Sequence, residues 1–212
     1  YENIYNTFKE GKADILIGTQ MVAKGLDFKN VTLVGVVAAD LSLNLPDFKS
    51  AERTYELITQ VSGRAGRGEK HGKVIIQTYN PKNYSIRYAA KNDYINFYKE
   101  EINIRKNMNY PPFSDILLIN MNSKDENVLI KNIQNVGIFL KKLLEKDDKI
   151  KILGPCPCQI SKIKELYRWQ IILKGKITIN IAQNVNKIVY DLLKDVYNDI
   201  RVSIDRNPNS ML

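Results

Sequence analysis

A chain of 212 residues is long enough for one large domain or two small ones, and its 44% hydrophobic and 26% charged content is that of an ordinary globular protein. Its 32 basic against 23 acidic residues leave a formal charge of +9, which favours a polyanionic partner, although the lysine and asparagine usage of an AT-rich coding sequence produces the same excess. No apolar run approaches about 18 residues, which excludes a membrane-spanning helix of the usual kind, and two cysteines cannot complete a tetrahedral zinc site.

The opening "YENIYNTF" carries no methionine, basic leader or apolar signal core. The chain is therefore expected to be cut from something longer, in a reducing, cytoplasmic setting. "ENIYNTFKEGK" predicts a short amphipathic helix ending at Gly11, and "DILIGT" (14–19) predicts a buried strand. "VTLVGVVAAD" (31–40) is a second strand, rich in valine and glycine. "SAERTYELITQVSGRAGR" is helical, with Tyr55, Ile58 and Val61 on one face, and "GKVIIQTY" (72–79) is a third buried strand. Alternating strands and helices imply a parallel sheet covered on both faces, with ligands outside the carboxyl ends of its strands. The loops 19–27 and 41–47 would lie on that edge. His71, in the turn-like "EKHGK", reads as a solvated loop histidine.

Residues 81–111 read as connecting helices that stop at Pro111 and Pro112, with a boundary near Tyr110 between residues 1–80 and 112–212. Beyond it, "DILLINMN" (115–122) is a strand. Leu129, Ile133, Val136, Leu140 and Leu143 recur at helical spacing. "IKIL" and "CQISKIK" are two short extended runs broken by Pro155 and Pro157. "YRWQIILK" alternates Tyr167, Trp169, Ile171 and Leu173 against Arg168, Gln170, Ile172 and Lys174. A helix through Ile181, Val185, Ile188 and Leu192 and a strand "IRVSID" complete a β-α-β-β-α-β order, a small α+β domain with helices on one face. The fold class is therefore α/β followed by a small α+β domain. Basic residues exceed acidic ones in both parts, 16 to 12 before Pro112 and 16 to 11 from there on, so neither accounts for the charge alone.

Two segments carry chemistry. In "QVSGRAGRGEK" (60–70), glycines and an alanine strip bulk from around Arg64 and Arg67, which suits close backbone approach to an anion held by guanidinium groups. "GTQMVAKGLDF" (18–28) ends a strand and gathers Thr19, Gln20, Lys24, Gly25 and Asp27 in one loop.

These segments resemble motifs V and VI in the second RecA-like lobe of superfamily 2 helicases. With "NVTLVGVVAAD", "PDFKSAERTYELITQVSGRAGR", "YPPF" and "YRWQ", in order to the end of the chain, they are similar to the PriA family of replication-restart DNA helicases. The resemblance implies that Arg64 and Arg67 are arginine fingers reaching a γ-phosphate bound on the other lobe, with Gln60 sensing that phosphate or its water and Gly63, Ala65 and Gly66 letting the helix end approach the nucleotide. Gly25 and Asp27 would touch the nucleotide, and Thr19, Gln20 and Lys24 the DNA backbone. The plainer alternatives are solvated arginines in a basic turn, Asp27 as a helix cap and Lys24 as a solvated lysine.

No G-x-x-x-x-G-K-[ST] loop and no acidic magnesium box is present. ATP and Mg²⁺ would therefore be held mainly by a first lobe outside this chain, and the family's zinc insertion would lie upstream too, with no metal site here. The resemblance thus implies the C-terminal part of an ATP-dependent 3′→5′ helicase that recognises stalled or branched forks and initiates primosome assembly, inactive as an ATPase by itself. Implied partners are single-stranded and forked DNA, the single-stranded-DNA-binding protein and other primosome proteins. Around "KIKELYRWQ", Lys162, Lys164, Arg168 and Gln170 are candidate contacts to DNA or to an acidic tail, while Tyr167 and Trp169 face either a base or the core. Two departures stand out: Cys156 and Cys158 where small apolar residues are usual, read as buried hydrophobes, and Ala38 and Ala39 before Asp40, where an acid is more common. The competing functions are a fork- or tail-binding module without enzymatic activity of its own, and the second lobe of a different motor such as an RNA helicase.

Overall fold

The computed structural model describes residues 2–19, 28, 30–66, 71–145 and 147–211. The chain forms two compact units, one of residues 1–45 and 49–101, the other of 46–48 with 102–212.

In the first unit, α1 (Glu2–Lys9) carries an acid in its first turn and a lysine in its last, each opposing the helix dipole, and ends where Gly11 turns to φ +72°. β1 (Leu33–Val36) and β2 (Lys73–Ile76) pair in parallel, Leu33 opposite Lys73 and Val36 opposite Ile76. α2 (Asp40–Leu43) and α3 (Ser50–Ser62) follow β1, and α4 (Tyr84–Ala90) follows β2. α5 (Tyr94–Asn107) contributes residues 94–101 to this unit. Asn83 caps α4 by accepting from the Ser85 N–H. Ala39, Tyr55, Ile58, Ile86, Ala89 and Phe97 form the core, with the Tyr55 and Phe97 rings stacked 4.3 Å apart.

The strand expected over 14–19 does not form. Ile15 and Ile17 are 78% and 90% exposed, and the segment pairs with neither described strand of the unit. An extended apolar run becomes a strand only where a neighbour accepts its hydrogen bonds. The same shortage of neighbours leaves Leu33 and Ile75 about half exposed, where full cover was expected.

The second unit contains β3 (Asp115–Ser123), α6 (Glu126–Leu143), β4 (Lys151–Ile163), β5 (Leu166–Gly175), α7 (Ile179–Leu193) and β6 (Ile200–Arg206). The strand order is β4-β5-β3-β6, antiparallel throughout. Each helix connects strands separated by a third, so two split β-α-β units interleave. Asp125 caps α6 through the N–H groups of Asn127 and Val128, and Thr178 caps α7 through that of Ile181. Leu129, Ile133, Val136 and Leu140 of α6 and Val185, Val189 and Leu193 of α7 bury against Leu117, Ile119, Met121, Ile171 and Leu173 of the sheet. Truncating one such isoleucine or leucine to alanine costs about 2–5 kcal/mol.

The two runs expected on either side of Pro155 and Pro157 are one strand. β4 lies at the sheet edge, where a residue without an N–H is tolerated, and its pairing with β5 shifts register between Leu153 and Cys156 and between Pro157 and Lys162.

Asp115 ties the ends of this sheet together. Its carboxylate accepts from Asn207 Nδ2 at 2.9 Å, Arg206 Nη2 at 3.1 Å and the Ile177 N–H at 3.2 Å, while Asn207 Oδ1 accepts from the Ile116 N–H at 2.9 Å. Burial pushes its pKa up, but the bonds from Asn207, Arg206 and Ile177 and the Arg206 charge together hold it below the usual carboxylate value. Its contribution to stability is therefore full above an unfolded pKa of about 3.9 and is lost as pH falls through the lower folded value. Thermal melts between neutral pH and pH of about 2 should show a steeper acid loss for the wild type than for Asp115→Asn. Identical acid slopes would remove Asp115 from this role.

Candidate functional site

α3 buries Ser50, Thr54, Tyr55 and Ile58 and turns Glu56, Gln60 and Gly63 outward at i, i+4 and i+7 spacing. Arg64 follows in the turn, half-buried, its N–H bonded to the Val61 carbonyl at 3.0 Å. One helix end thus brings Gln60, Gly63 and Arg64 together. Thr19 is exposed in a bend on the segment preceding β1. Gln20, Lys24, Gly25, Asp27 and Arg67 lie outside the described residues.

The glycines of this segment do different work. A Cβ on Gly63 would meet the Thr59 and Gln60 carbonyls at 3.6 and 3.7 Å, which is ordinary contact, so an alanine fits at this exposed position without a clash. Gly66, at φ +74°, donates its N–H to the Val31 carbonyl at 3.0 Å, and a Cβ there would stand 2.6 Å from the Gly72 nitrogen. A Cβ on Gly72 would overlap Gly66 and Ala65 in turn. Gly66 and Gly72 therefore serve the return of the chain into β2. The only signal for Gly72 in the sequence is a glycine at the foot of a strand.

At the carboxyl ends of β1 and β2, Asp40 holds the segment that follows β2. Thr78 Oγ1 donates to Asp40 Oδ1 at 2.6 Å and the Tyr79 N–H to Oδ2 at 2.8 Å. These two donors, the hydroxyl foremost, keep Asp40 ionised below its ordinary range. This acid thus has a structural partner that spacing could not reveal, since Thr78 lies far along the chain.

In the second unit, the β4–β5 hairpin turns at Lys164 and Glu165, both with positive φ, which places Lys164 at the exposed tip. Lys162 Nζ lies 4.3 Å from the Tyr167 ring centroid and 3.2 Å from its hydroxyl. Tyr167 and Trp169 pack against the helix-side core, as strand alternation predicts, and Arg168 and Gln170 point to the other face. There Arg168 Nη1 reaches the Ile160 carbonyl at 3.4 Å, and Gln170 Nε2 lies 4.0 Å from Cys156 Sγ. Asn122 pairs with Arg168 and Asn120 with Gln170 across β3 and β5. Gln170 Oε1 and Asn122 Oδ1 are buried and accept no hydrogen bond from a described residue. Both acceptors are closed off from solvent and belong to the interior of the sheet face beside Arg168, not to its exposed surface. Cys158 is buried and Cys156 half-buried, both as free thiols, and burial pushes the Cys158 thiol up, in line with small apolar residues. Among the described residues no helix is long and apolar enough to cross a membrane, and no three potential metal ligands cluster.

Comparison with known proteins accounts for both units. Residues 1–69 match the helicase conserved C-terminal domain, and residues 106–209 the primosomal protein N C-terminal domain. The chain is similar to replication restart protein PriA of Bacillus subtilis (strain 168), 44% identical across 100% of this chain and 26% of that protein. PriA of Synechocystis sp. is 42% identical over 94% of the chain and 24% of its own length. PriA of Borreliella burgdorferi is 38% identical over 100% and 32%. The chain spans about a quarter to a third of the length of these curated relatives.

The contrast between the glycines is measurable by denaturant unfolding of the 212-residue chain. Gly63→Ala, at an ordinary φ of −67°, should leave stability within about 0.5 kcal/mol. Gly66→Ala combines a left-handed backbone with a backbone clash and should lose about 1–3 kcal/mol. Equal losses would mean that Gly63 is also required by packing.

Proposed function

We propose that this chain, which belongs to the PriA family of replication restart proteins, supplies the second-lobe motifs and the C-terminal domain of an ATP-driven DNA helicase acting at stalled or branched replication forks. The observation that carries the reading is the C-terminal end of α3, where Gln60, the exposed Gly63 and Arg64 follow one another in a segment matched by the helicase C-terminal family. Such an end fits a nucleotide phosphate: it offers an amide, a guanidinium and room for close approach. When bound with Mg²⁺, ATP supplies the phosphoanhydride whose cleavage drives strand movement. Arg64 and Arg67 donate to the γ-phosphate oxygens and stabilise the charge that develops on them during transfer. Gln60 orients the attacking water, and Gly63 keeps the approach clear. Gly25 and Asp27 meet the nucleotide, Asp27 accepting from ribose hydroxyls, while Thr19, Gln20 and Lys24 hold the DNA backbone. Contact of one loop with both ligands couples turnover to 3′→5′ movement. A cytoplasmic location and primosome partners follow from the same reading.

The β5 patch supports a second reading for the C-terminal unit, as a binding module. Lys162, Lys164 and Arg168 attract phosphates or the acidic tail of the single-stranded-DNA-binding protein, with Gln170 beside them on the same strand face.

In the full-length protein, Arg64→Ala or Arg67→Ala should lower DNA-stimulated ATP turnover by about 10³-fold or more while DNA affinity stays near wild type. Wild-type turnover in either variant would defeat the finger assignment. Arg168→Ala should weaken binding of the 212-residue chain to a labelled fork or an acidic peptide, read by fluorescence anisotropy at several salt concentrations. Unchanged affinity for both would return Arg168 to a purely structural place beside Ile160.

A further inference from the structure

One exposed apolar side chain is ordinary on a protein surface, but three gathered at one edge of a sheet call for an occupant. At the carboxyl ends of β1 and β2, Val37 is 75% exposed, Leu41 71% and Tyr79 94%. They are gathered because the two chains go on bonding past the strand ends. The Gln77 N–H donates to the Val36 carbonyl at 2.9 Å, and the Ala39 N–H to the Gln77 carbonyl at 3.1 Å. Between these bonds Ala38 takes a left-handed φ of +55°, a conformation that costs energy in an L-residue. Leu41 follows at once, its N–H on the Ala38 carbonyl at 3.1 Å.

Tyr79 is exposed, yet its backbone is fixed. The Asp40 carboxylate accepts from its N–H and from the Thr78 hydroxyl, and Thr78 Oγ1 accepts from the Asn80 N–H at 2.9 Å. The Asn83 N–H then closes a turn onto the Asn80 carbonyl at 3.1 Å, and the Asn83 side chain caps α4. An aromatic ring carried in water on an ordered backbone has less freedom left to lose when a flat ligand stacks on it. Lys82, in the same turn, is exposed and makes no ion pair among the described residues. Asp40 is the single acid in the segments 37–41 and 72–83, and both its oxygens are engaged. Apolar surface, a stacking ring and an unopposed lysine match a nucleotide, which joins a flat base to a phosphate. The carboxyl edge of a parallel sheet is also where such ligands bind.

We infer that Val37, Leu41 and Tyr79 form a platform on which one base of single-stranded DNA stacks, with Lys82 meeting its phosphate. The inference rests on the helicase reading above and adds a DNA contact separate from Thr19, Gln20 and Lys24. ATP carries a base as well, so the test separates the two sources.

The test uses the full-length protein. Affinity for labelled oligothymidylate, affinity for an abasic strand of equal length and the KM for ATP are measured separately. Tyr79→Ala should weaken oligothymidylate binding about fivefold or more and leave abasic-strand binding near wild type. Tyr79→Phe should keep wild-type affinity, because it keeps the ring. Lys82→Gln should weaken binding of both strands and lower the slope of log affinity against log salt by about 0.7, a slope that Tyr79→Ala should not change. Wild-type binding of both strands by Tyr79→Ala would overturn the platform while leaving the helicase reading intact. A raised KM for ATP with unchanged DNA affinity would overturn it too, assigning the ring to adenine. Equal loss of thermal stability, ATP turnover and DNA binding would place Tyr79 in a packing contact with the rest of the full-length protein, again overturning the platform. A wild-type protein that binds no single-stranded DNA would overturn the helicase reading and the platform together.

Discussion

Gly66 and Gly72 meet backbone to backbone, and the arrangement around the end of α3 depends on that meeting. The Gly66 N–H binds the Val31 carbonyl on the approach to β1, while Gly72 leads directly into β2. Two strands and the helix between them are therefore pinned at one point, where no side chain fits on either residue. Gln60 and Arg64 inherit a defined place from it. A guanidinium useful for phosphate chemistry must be held in position before the charge develops. Here the Gly66–Val31 bond and the Gly66–Gly72 approach hold the turn that follows α3.

The second unit uses a different constraint. Its strand order interleaves two β-α-β units, so neither can close without the other. The seal is Asp115 at the start of β3, bonded to Arg206 and Asn207 at the end of β6 and to the segment after β5. These are the first and last strands of the unit, and their union is what makes residues 115–207 one body. Polar bonds at the rim complement a core built almost entirely of leucine, isoleucine and valine.

Much of this was readable in the chain because the signals are local. The 3.6-residue spacing of Leu129 to Leu140 and the alternation from Tyr167 to Lys174 each lie within one element and decide it. Nonlocal facts escaped. Residues 14–19 have the composition of a strand but no described neighbour, and Pro155 and Pro157 look like breaks until β4 is known to be an edge. The glycines around Arg64 read as a single device for anion approach, yet Gly66 is committed to Gly72, while Gly63 meets no such constraint. Likewise, nothing near Pro46–Phe48 in the chain announces that its partners are Arg105, Tyr110 and Met211. Attachments of this kind join residues far apart in the chain, which is why spacing alone did not announce them.

The prolines of β4 have an effect on the fate of the molecule outside its folded unit. A sheet edge exposes a row of backbone groups onto which another chain can add as an extra strand. Pro155 and Pro157 carry no N–H to offer, and register shifts on either side of them interrupt the ladder with β5. Leu153, Ile160 and Ile163 are exposed along the same strand, a combination that in a flat, fully hydrogen-bonding edge would invite self-association. An edge with residues that lack an N–H and with an interrupted register is a poorer template for an added strand than a regular ladder would be.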